Sequence, residues 1–450
     1  MCNLPYFYIE TFGCQMNIYD SEKIAGILST LGYLPTNIVS QASIIILNTC
    51  CIRNTAENRI LGRIGELKIL KKQNKDMLII LVGCMIQQEG MATKLLKSYP
   101  FIDILLGTKN FNKLSDIIKN TLENKKLKKN SEKSFVEAFV TGDDYMQQVS
   151  VPAYRSSFPN AWVNIISGCN NFCSYCIVPY VRGREKSIHP DIIYKEVIDL
   201  LEKGYKEITL LGQNVNSYGN DSKEGWNFND LLKRLATINK KFRLRFMTSN
   251  PKDLTPEIIS TIGKYDNISK HIHLPIQSGS NRILQLMNRK YTYEDYYELT
   301  KLIKQIPDIA ITTDIMVGFP TETEEDFLDT LRAVEEINFH NAFMFVYSPR
   351  SGTKAALMPQ ITYKVKKDRI TRLIEKQNNI SQEISQKYIG KIYEILIEDT
   401  AKGLHKVCGR TDNGRLVSLP GDSDLIGKFV DVKITANKGS SLMGEIIHVK

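Results

Sequence analysis

The chain has 450 residues, roughly three times a typical domain, and its 42% hydrophobic and 24% charged content argues against a disordered, collagen-like or coiled-coil protein. Its longest apolar runs fall far short of the ~20 residues of a membrane span, and its N-terminus lacks a leader pattern, so we expect a cytoplasmic protein without a membrane segment. A net charge of +10 suits a polyanionic partner, and nine cysteines in that compartment indicate metal or redox chemistry.

Three apolar runs near the N-terminus are each followed by a cysteine. The runs are Phe7 to Phe12, Ile44 to Leu47 and Leu78 to Val82, and the cysteines are Cys14, Cys50 and Cys84. Continuous apolar runs separated by helix-like patterns are typical of parallel strands covered on both faces. Because the carboxyl ends of parallel strands meet at one edge of a sheet, we expect the three cysteines to converge there.

A polar, lysine-rich stretch separates this sheet from a second series of strands. From Trp162 to Tyr347 six strand-like runs alternate with amphipathic segments, which predicts a partial (βα)6 barrel because a closed barrel needs eight units. Small or polar residues follow each run, and active sites of such barrels lie at that end of the strands. The predicted domains are 1–125, a linker at 126–154, the barrel domain at 155–385 and a C-terminal domain at 386–450.

The C-terminal domain follows a helical stretch, and its sequence pattern is typical of short antiparallel strands. Tyr393, Ile395 and Ile397 alternate with Glu394, Leu396 and Glu398, and Asn413-Gly414 is a strong hairpin signal. These features predict a small antiparallel β-barrel, so the fold class is a multidomain α/β protein with a parallel N-terminal sheet, a central partial barrel and a small C-terminal barrel.

Cys169, Cys173 and Cys176 directly follow the first strand of the predicted partial barrel. Three thiolates at spacings of four and three can hold three irons of a 4Fe-4S cluster and leave the fourth iron open for a small-molecule ligand. The alternative is a zinc site, which prefers four protein ligands when structural. No further Cys or His follows at zinc-finger spacing, since His189 is thirteen residues after Cys176.

At these residues the chain resembles the radical S-adenosylmethionine enzymes, which have the same cysteine spacing and an aromatic residue, here Tyr175, before the last cysteine. The resemblance implies that the open iron binds S-adenosylmethionine and that reduction yields a 5′-deoxyadenosyl radical. Cys14, Cys50 and Cys84 then favour a second 4Fe-4S cluster, whose open iron could carry an exchangeable sulfur. Cys51 could compete with Cys50, although the strand-end register favours Cys50, and Cys2 and Cys408 are interpreted as ordinary thiols.

The whole chain resembles the methylthiotransferases, and most closely their tRNA-modifying MiaB type. The motifs that carry the resemblance are Thr11 to Asn17, Val178 to Tyr180 with Arg182 to Glu185, and Leu211 to Asn216. The C-terminal domain resembles the RNA-binding TRAM domain. The implied reaction inserts a methylthio group at carbon 2 of N6-isopentenyladenosine beside the tRNA anticodon. A radical suits this position because a general base cannot readily remove that ring hydrogen.

The resemblance also implies partners and further site residues. The candidates for holding S-adenosylmethionine are Gln213, Asn214, Gln277 and Ser278, for each of which a loop-structuring role is an open alternative. The candidates for RNA binding are Lys366, Lys367 and Arg372, which come from the basic helical stretch Lys364 to Lys376, and a solvated helix face is the open alternative for that stretch. We expect a monomer that binds the anticodon stem-loop of tRNA and receives electrons from a protein such as flavodoxin or ferredoxin. The alternatives are methylthiolation of a ribosomal-protein aspartate or of threonylcarbamoyl-adenosine in tRNA, and a non-catalytic electron carrier or RNA-binding iron-sulfur sensor with two clusters.

Overall fold

The computed structural model describes residues 5–51, 54–127, 137–139, 151, 153–403, 406–439 and 441–450. The chain forms two compact units. The first unit comprises Met1–Ser156 and Ile177–Arg184, and the second comprises Ser157–Cys176 and Glu185–Lys450. In the described residues no helix is both long and apolar enough to cross a membrane.

The first unit is built on a parallel sheet. Its strands are β1 (Tyr6–Thr11), β2 (Leu34–Pro35), β3 (Ala42–Thr49), β4 (Leu78–Gly83), β5 (Ile104–Leu106) and β6 (Glu137–Phe139). Its helices are α1 (Gln15–Thr30), α2 (Asn54–Gln73), α3 (Met91–Ser98), α4 (Leu114–Leu127) and α5 (Val178–Arg182), with 3₁₀ turns at Val39–Gln41 and Phe111–Lys113. All pairings are parallel, in the order β2-β1-β3-β4-β5-β6. Strand β6 lies within the stretch that was predicted to be a linker.

The central strands β3 and β4 are apolar on both faces because each face carries its own core. Ile45 and Leu47 of β3 pack with α2 on one face, and Ile44 and Ile46 pack with α1 and α4 on the other. Successive side chains of a strand point to opposite faces, so a strand buried on both sides needs a continuous apolar run. Val181 of α5 belongs to the α2 face, which places the segment after Cys176 against this sheet.

The second unit begins with the predicted partial barrel. Its strands are β7 (Asn160–Asn164), β8 (Ile166–Ser167), β9 (Lys186–Ser187), β10 (Glu207–Leu211), β11 (Arg243–Phe246), β12 (His271–His273), β13 (Ala310–Val317) and β14 (Asn341–Val346). Its helices are α6 (Pro190–Glu202), α7 (Phe228–Ala236), α8 (Pro256–Lys264), α9 (Asn281–Leu286), α10 (Tyr293–Ile303), α11 (Glu324–Ile337) and α12 (Tyr363–Gln386), with 3₁₀ turns at Val215–Ser217 and Lys354–Leu357.

Six of these strands run parallel in chain order. They form the sheets β7-β10-β11 and β12-β13-β14, which a parallel bridge between Leu244 and Ile268 connects. The short strands β8 and β9 pair separately, beside the end of β7. The prediction of an open six-stranded barrel is confirmed. It was possible because each strand has its own apolar run in the sequence.

A closed barrel of five strands forms the C-terminal part of the second unit. The strands are β15 (Ile392–Thr400), β16 (Lys406–Thr411), β17 (Leu416–Pro420), β18 (Phe429–Lys438) and β19 (Ser441–Val449), with a 3₁₀ turn at Ser423–Leu425. Their order is β15-β16-β17-β19-β18, and the pairing is antiparallel except between β17 and β19. Alternate residues such as Ile395 and Ile397 fill the interior, which explains the alternating pattern of the sequence.

The β16–β17 hairpin tip is bonded to the base of the partial barrel. Arg245 in β11 pairs with Glu207 at 3.0 Å and donates to the Asp412 carbonyl at 3.3 Å. The backbone N–H of Lys270 donates to Asp412 Oδ2 at 2.9 Å. Deleting the small barrel would remove these hydrogen bonds and expose the buried Arg245–Glu207 pair to water, so it would disturb the large barrel. Its function is better tested by surface substitutions than by truncation.

Candidate active site

The cysteines of the first unit lie at the carboxyl edge of its sheet. Cys14 follows β1 as the N-cap of α1, Cys50 follows β3 directly, and Cys84 follows β4 directly. Strands β1, β3 and β4 are neighbours, so their three carboxyl ends are adjacent. The structure therefore places Cys14, Cys50 and Cys84 at one sheet edge, as their strand-end register indicated.

Close backbone packing at this edge explains the glycine before two of the cysteines. Gly13 has a positive φ, and a Cβ on it would lie 2.7 Å from Cys50 Sγ. Gly83 also has a positive φ, and a Cβ there would lie 2.5 Å from the Thr49 carbonyl oxygen. Both positions need a residue without a side chain, because left-handed backbone and close approach each exclude a Cβ.

Arg182 is a buried cation at the same edge. Its side chain is 5% exposed, and its Nη2 atom lies 2.7 Å from Asp20 Oδ2. The same atom donates to Asn17 Oδ1 at 3.1 Å. Asn17 in turn donates to the Phe12 and Thr49 carbonyls at 2.7 and 3.0 Å, which ties the ends of β1 and β3 together.

The charge of Arg182 acts on the neighbouring thiols. Burial raises the pKa of Cys14, and Arg182 opposes that effect. A hydrogen bond with Cys51 and the charge of Arg182 lower the pKa of Cys84 to about 6, although burial acts against them. Cys51 also lies in the apolar core on the α2 face. Of these thiols, Cys84 is the one whose surroundings favour the negatively charged form in which cysteine binds metal.

The second group of cysteines lies in one loop after β8. The loop runs from Cys169 to Cys176, and its shape is set by the end of α9. Ser174 donates from its backbone N–H to the Met287 carbonyl at 3.0 Å and from its hydroxyl to the Leu286 carbonyl at 2.8 Å. The Asn288 amide donates to the Phe172 carbonyl at 2.9 Å. Burial raises the pKa of Cys169 to about 11.

A second arginine contacts this loop. Arg289 Nη1 donates to Cys173 Sγ at 3.4 Å, Nη2 to the Pro275 carbonyl at 3.1 Å, and Nε to the Tyr291 hydroxyl at 2.9 Å. Among the described residues Arg289 forms no ion pair with a carboxylate. The guanidinium group of Arg289 therefore places a positive charge directly beside the Cys173 sulfur.

The predicted cofactor-binding residues lie at strand ends of the partial barrel. Gln213 and Asn214 follow β10, and the Asn214 amide donates to Asp253 Oδ2 at 2.7 Å. Gln277 is bonded through its backbone to β13, and the Ser278 hydroxyl lies 3.2 Å from Thr330 Oγ1. Ser278 therefore has a structural contact, whereas Asn214 keeps a buried Oδ1 atom without a hydrogen-bond partner.

The predicted RNA-binding residues differ in exposure. Lys366 is buried, and its ammonium group donates to the Tyr347 carbonyl at 3.1 Å. Arg372 pairs with Glu324 at 2.6 Å and with Asp368 at 3.2 Å. Lys367 is exposed. Of the three, Lys367 is the cation most accessible to a phosphate, and the assignment of the set to RNA stays a prediction.

Sequence analysis did not single out Arg182 or Arg289. Arg182 lies in the Arg182 to Glu185 motif, which gave a usable signal, but its partner Asp20 is 162 positions away. Arg289 lies 116 positions from Cys173 and has no local signal of this kind.

In the described residues no group of three His, Cys, Asp or Glu side chains is arranged to hold a single metal ion. A 4Fe-4S cluster distributes its thiolate ligands over different irons, so its cysteines need not converge on one point. Two groups of three cysteines, each beside a cation, have the donor chemistry that such clusters require.

Comparisons with known families agree with this geometry. The Radical SAM superfamily matches residues 163–334, the TRAM domain matches 386–447, and the Uncharacterized protein family UPF0004 matches 6–107. The tRNA-2-methylthio-N(6)-dimethylallyladenosine synthase of Thermoanaerobacter pseudethanolicus is 48% identical over 99% of this chain and 93% of its own. That of Clostridium tetani is 48% identical over 98% and 96%. The chain belongs to this family of synthases.

The predicted resemblance to radical S-adenosylmethionine methylthiotransferases is confirmed by this membership, and the chain is an enzyme of that class. Solved structures support the fold alone. The radical S-adenosylmethionine methyltransferase TsrM from Kitasatospora setae, with cobalamin and a [4Fe-4S] cluster bound, has a TM-score of 0.57 at 12% identity, covering 79% of this chain and 74% of that one. The cobalamin-dependent S-adenosylmethionine radical enzyme OxsB has a TM-score of 0.53 at 16% identity, covering 83% and 56%.

Proposed function

We propose that this synthase-family enzyme inserts a methylthio group at carbon 2 of N6-isopentenyladenosine in tRNA and uses two 4Fe-4S clusters to do so. The observation that carries the proposal is the pairing of two cysteine triads within one chain. One triad occupies the loop after the first strand of the partial barrel, and the other occupies a sheet edge in a different unit.

The residues present fit the proposed groups. Cys169, Cys173 and Cys176 offer three thiolates and leave one iron of a cluster for S-adenosylmethionine. The unpartnered Oδ1 atom of Asn214 lies at the strand end that such barrels use for ligands, and it can accept a hydrogen bond from the cofactor's ammonium group. When bound, the cluster and S-adenosylmethionine supply one-electron cleavage of the sulfonium to a 5′-deoxyadenosyl radical.

The protein's own contribution at the partial barrel is to fix the loop and its charge. Ser174 and Asn288 hold the loop against the end of α9 through direct hydrogen bonds. Arg289 places a positive charge beside Cys173, which offsets the negative charge of thiolate ligands in a partly buried site. Rigid support of this kind keeps the reacting atoms in place while the substrate adenine enters.

At the sheet edge Arg182 has the corresponding role for Cys14 and Cys84. Asp20 pairs with Arg182 and offsets part of its positive charge, so the compensation of thiolate charge is weaker here than beside Cys173, where Arg289 has no carboxylate partner among the described residues. Cys14, Cys50 and Cys84 would hold a separate cluster, whose open iron would supply a binding position for sulfur away from the S-adenosylmethionine site. Cys50 completes this triad in the proposal, since Cys51 is engaged with Cys84 and the core.

The test is anaerobic incubation of reconstituted protein with isopentenylated tRNA, S-adenosylmethionine and a reductant, followed by mass spectrometry of the digested nucleosides. We expect 2-methylthio-N6-isopentenyladenosine together with 5′-deoxyadenosine. Parallel reactions with threonylcarbamoylated tRNA and with ribosomal protein serve as controls. Product from either control, and none from isopentenylated tRNA, would contradict the proposal. Reduction by flavodoxin or ferredoxin and the monomeric state remain predictions to be measured in the same preparation.

A further inference from the structure

The 3₁₀ turn at Lys354–Leu357 and the start of α12 carry the two most exposed large hydrophobic side chains of the described residues. Leu357 is 90% exposed and Tyr363 is 74% exposed. Single exposed apolar residues are common on protein surfaces, but these two lie within seven positions of each other in the sequence. Together with the lysines described below, they form what we call the α12 entry surface.

Hydrogen bonds fix the backbone that presents this surface. The Gln360 side-chain amide donates to the Ala355 and Met358 carbonyls at 3.1 and 2.8 Å. At the next turn of α12, buried Arg369 pairs with buried Glu322 at 2.7 Å. The exposure of Leu357 and Tyr363 is therefore built into the fold and does not result from an unsupported loop.

The α12 entry surface lies at the end of the partial barrel that carries the cysteine loop. The backbone N–H of Ala355 donates to the Ser174 carbonyl at 2.8 Å, and Ser174 is between Cys173 and Cys176. Lys366 in the first turns of α12 contacts Tyr347 and packs over Gly318, which follow β14 and β13. The α12 entry surface therefore lies beside the cysteine loop and beside the ends of β13 and β14.

Three exposed lysines add positive charge to the surface. They are Lys354, Lys364 and Lys367, and none has an ion-pair partner among the described residues. The neighbouring cations Arg369 and Arg372 are already paired with Glu322 and Glu324. Unpaired lysines around an exposed aromatic ring match the chemistry of single-stranded RNA, in which phosphates alternate with bases that can stack.

We propose that the α12 entry surface binds the unpaired nucleotides that flank the target adenosine, with Tyr363 stacking on a base and the lysines contacting phosphates. This inference rests on the proposed function and names the RNA contact of that same site. An adenine must leave its stack before it can meet the radical, which costs a few kcal/mol. Contacts to adjacent nucleotides at the mouth of the site can supply that free energy.

The experiment measures binding of a synthetic anticodon stem-loop containing N6-isopentenyladenosine to the full-length, cluster-loaded protein by fluorescence anisotropy. Tyr363→Ala is expected to weaken binding about tenfold, the typical loss for one stacked base, and Tyr363→Trp to preserve it. Replacing Lys354, Lys364 and Lys367 with Gln should lower the slope of log affinity against log salt by about 2, from three lost phosphate contacts.

A matched control combines Ile192→Ala with Lys195→Gln, which removes an exposed apolar and an exposed basic residue from α6. Circular dichroism and iron content check that each variant is folded and loaded. Unchanged affinity in Tyr363→Ala, or an equal loss in the control, would overturn the proposal. The proposal would also be overturned if the variants kept their RNA affinity but were reduced more slowly by flavodoxin, because the surface would then bind an acidic electron donor. If RNA binding depends on Tyr363 but the wild-type protein forms no methylthio product, the surface stands and the proposed function fails.

Discussion

Cys14, Cys50 and Cys84 follow three neighbouring strands of a sheet, whereas Cys169, Cys173 and Cys176 lie within one eight-residue loop. Sheet register positions the first triad, so that forming the sheet already brings its cysteines to one edge. The second triad is local in sequence, but its loop takes its shape from Leu286 to Arg289 and from Ala355, far along the chain. The cysteines that are far apart in sequence are thus positioned by a single sheet, whereas the cysteines that are close in sequence depend on residues far along the chain.

The two triads also differ in how their neighbouring cation is neutralised. Arg182 is buried with the carboxylate of Asp20 at 2.7 Å. Arg289 contacts the Tyr291 hydroxyl, the Pro275 carbonyl and Cys173 Sγ, and no carboxylate of the described residues pairs with it. More of the charge of Arg289 is therefore available to the sulfur ligand beside it. This contrast agrees with the proposed function, in which the loop site accepts an electron and the sheet edge stores sulfur.

The largest expected effect comes from removing the loop triad. The variant Cys169→Ala, Cys173→Ala, Cys176→Ala should lose 5′-deoxyadenosine formation and about half of its iron, because each triad holds one cluster in the proposed function. Chromatography of the S-adenosylmethionine products and iron analysis after anaerobic reconstitution measure both. Loss of all iron from a folded variant would show that the sites are not independent.

The reciprocal variant tests the other half of the comparison. Replacing Cys14, Cys50 and Cys84 with Ala should abolish 2-methylthio product and remove a similar share of iron, while 5′-deoxyadenosine is still formed. Mass spectrometry of nucleosides and cofactor products from one reaction gives both readings, with Cys408→Ala as the matched control. Methylthio transfer at the wild-type level would refute a sulfur-carrying role for the sheet edge.

Substituting Arg182 or Arg289 tests whether each arginine neutralises a buried carboxylate, because the loss of such a pair lowers the free energy of unfolding. Arg182→Met leaves Asp20 buried without its cation and should lower the free energy of unfolding of the first unit by about 3–5 kcal/mol. Arg182→Met combined with Asp20→Leu should recover much of that loss, because no buried charge is left alone. Urea unfolding followed by circular dichroism is the measurement. Arg289→Met should cost less, and an equal or larger cost would contradict the contrast drawn above.

Most of the architecture could be predicted because it is encoded locally. Continuous apolar runs predicted β3 and β4, and the cysteine register followed from them. Arg182 could not be assigned, because no spacing rule shows that the chain returns to the first unit at Ile177. Lys366, Lys367 and Arg372 of α12 were predicted to bind RNA, and that role stays a prediction, but the burial of Lys366 on the same helix face as Leu373 and Ile380 was not foreseen. The helical spacing of these residues indicates a buried face, but the many charged residues of the stretch led us to interpret it as exposed.

The smallest expected effect comes from removing one side-chain hydrogen bond beside each cysteine triad and comparing the two variants. Thr49→Val removes the 2.6 Å bond from Thr49 Oγ1 to the Val82 carbonyl beside Cys50, and Ser174→Ala removes the 2.8 Å bond that holds the cysteine loop. Each should cost about 1 kcal/mol. In Thr49→Val the sheet ladder still positions Cys50, so the rate of iron loss to a chelator should stay near the wild-type value. In Ser174→Ala the same energy is lost from the loop itself, so iron release from that site should be about fivefold faster. Equal rates in the two variants would show that the loop is as well supported as the sheet edge.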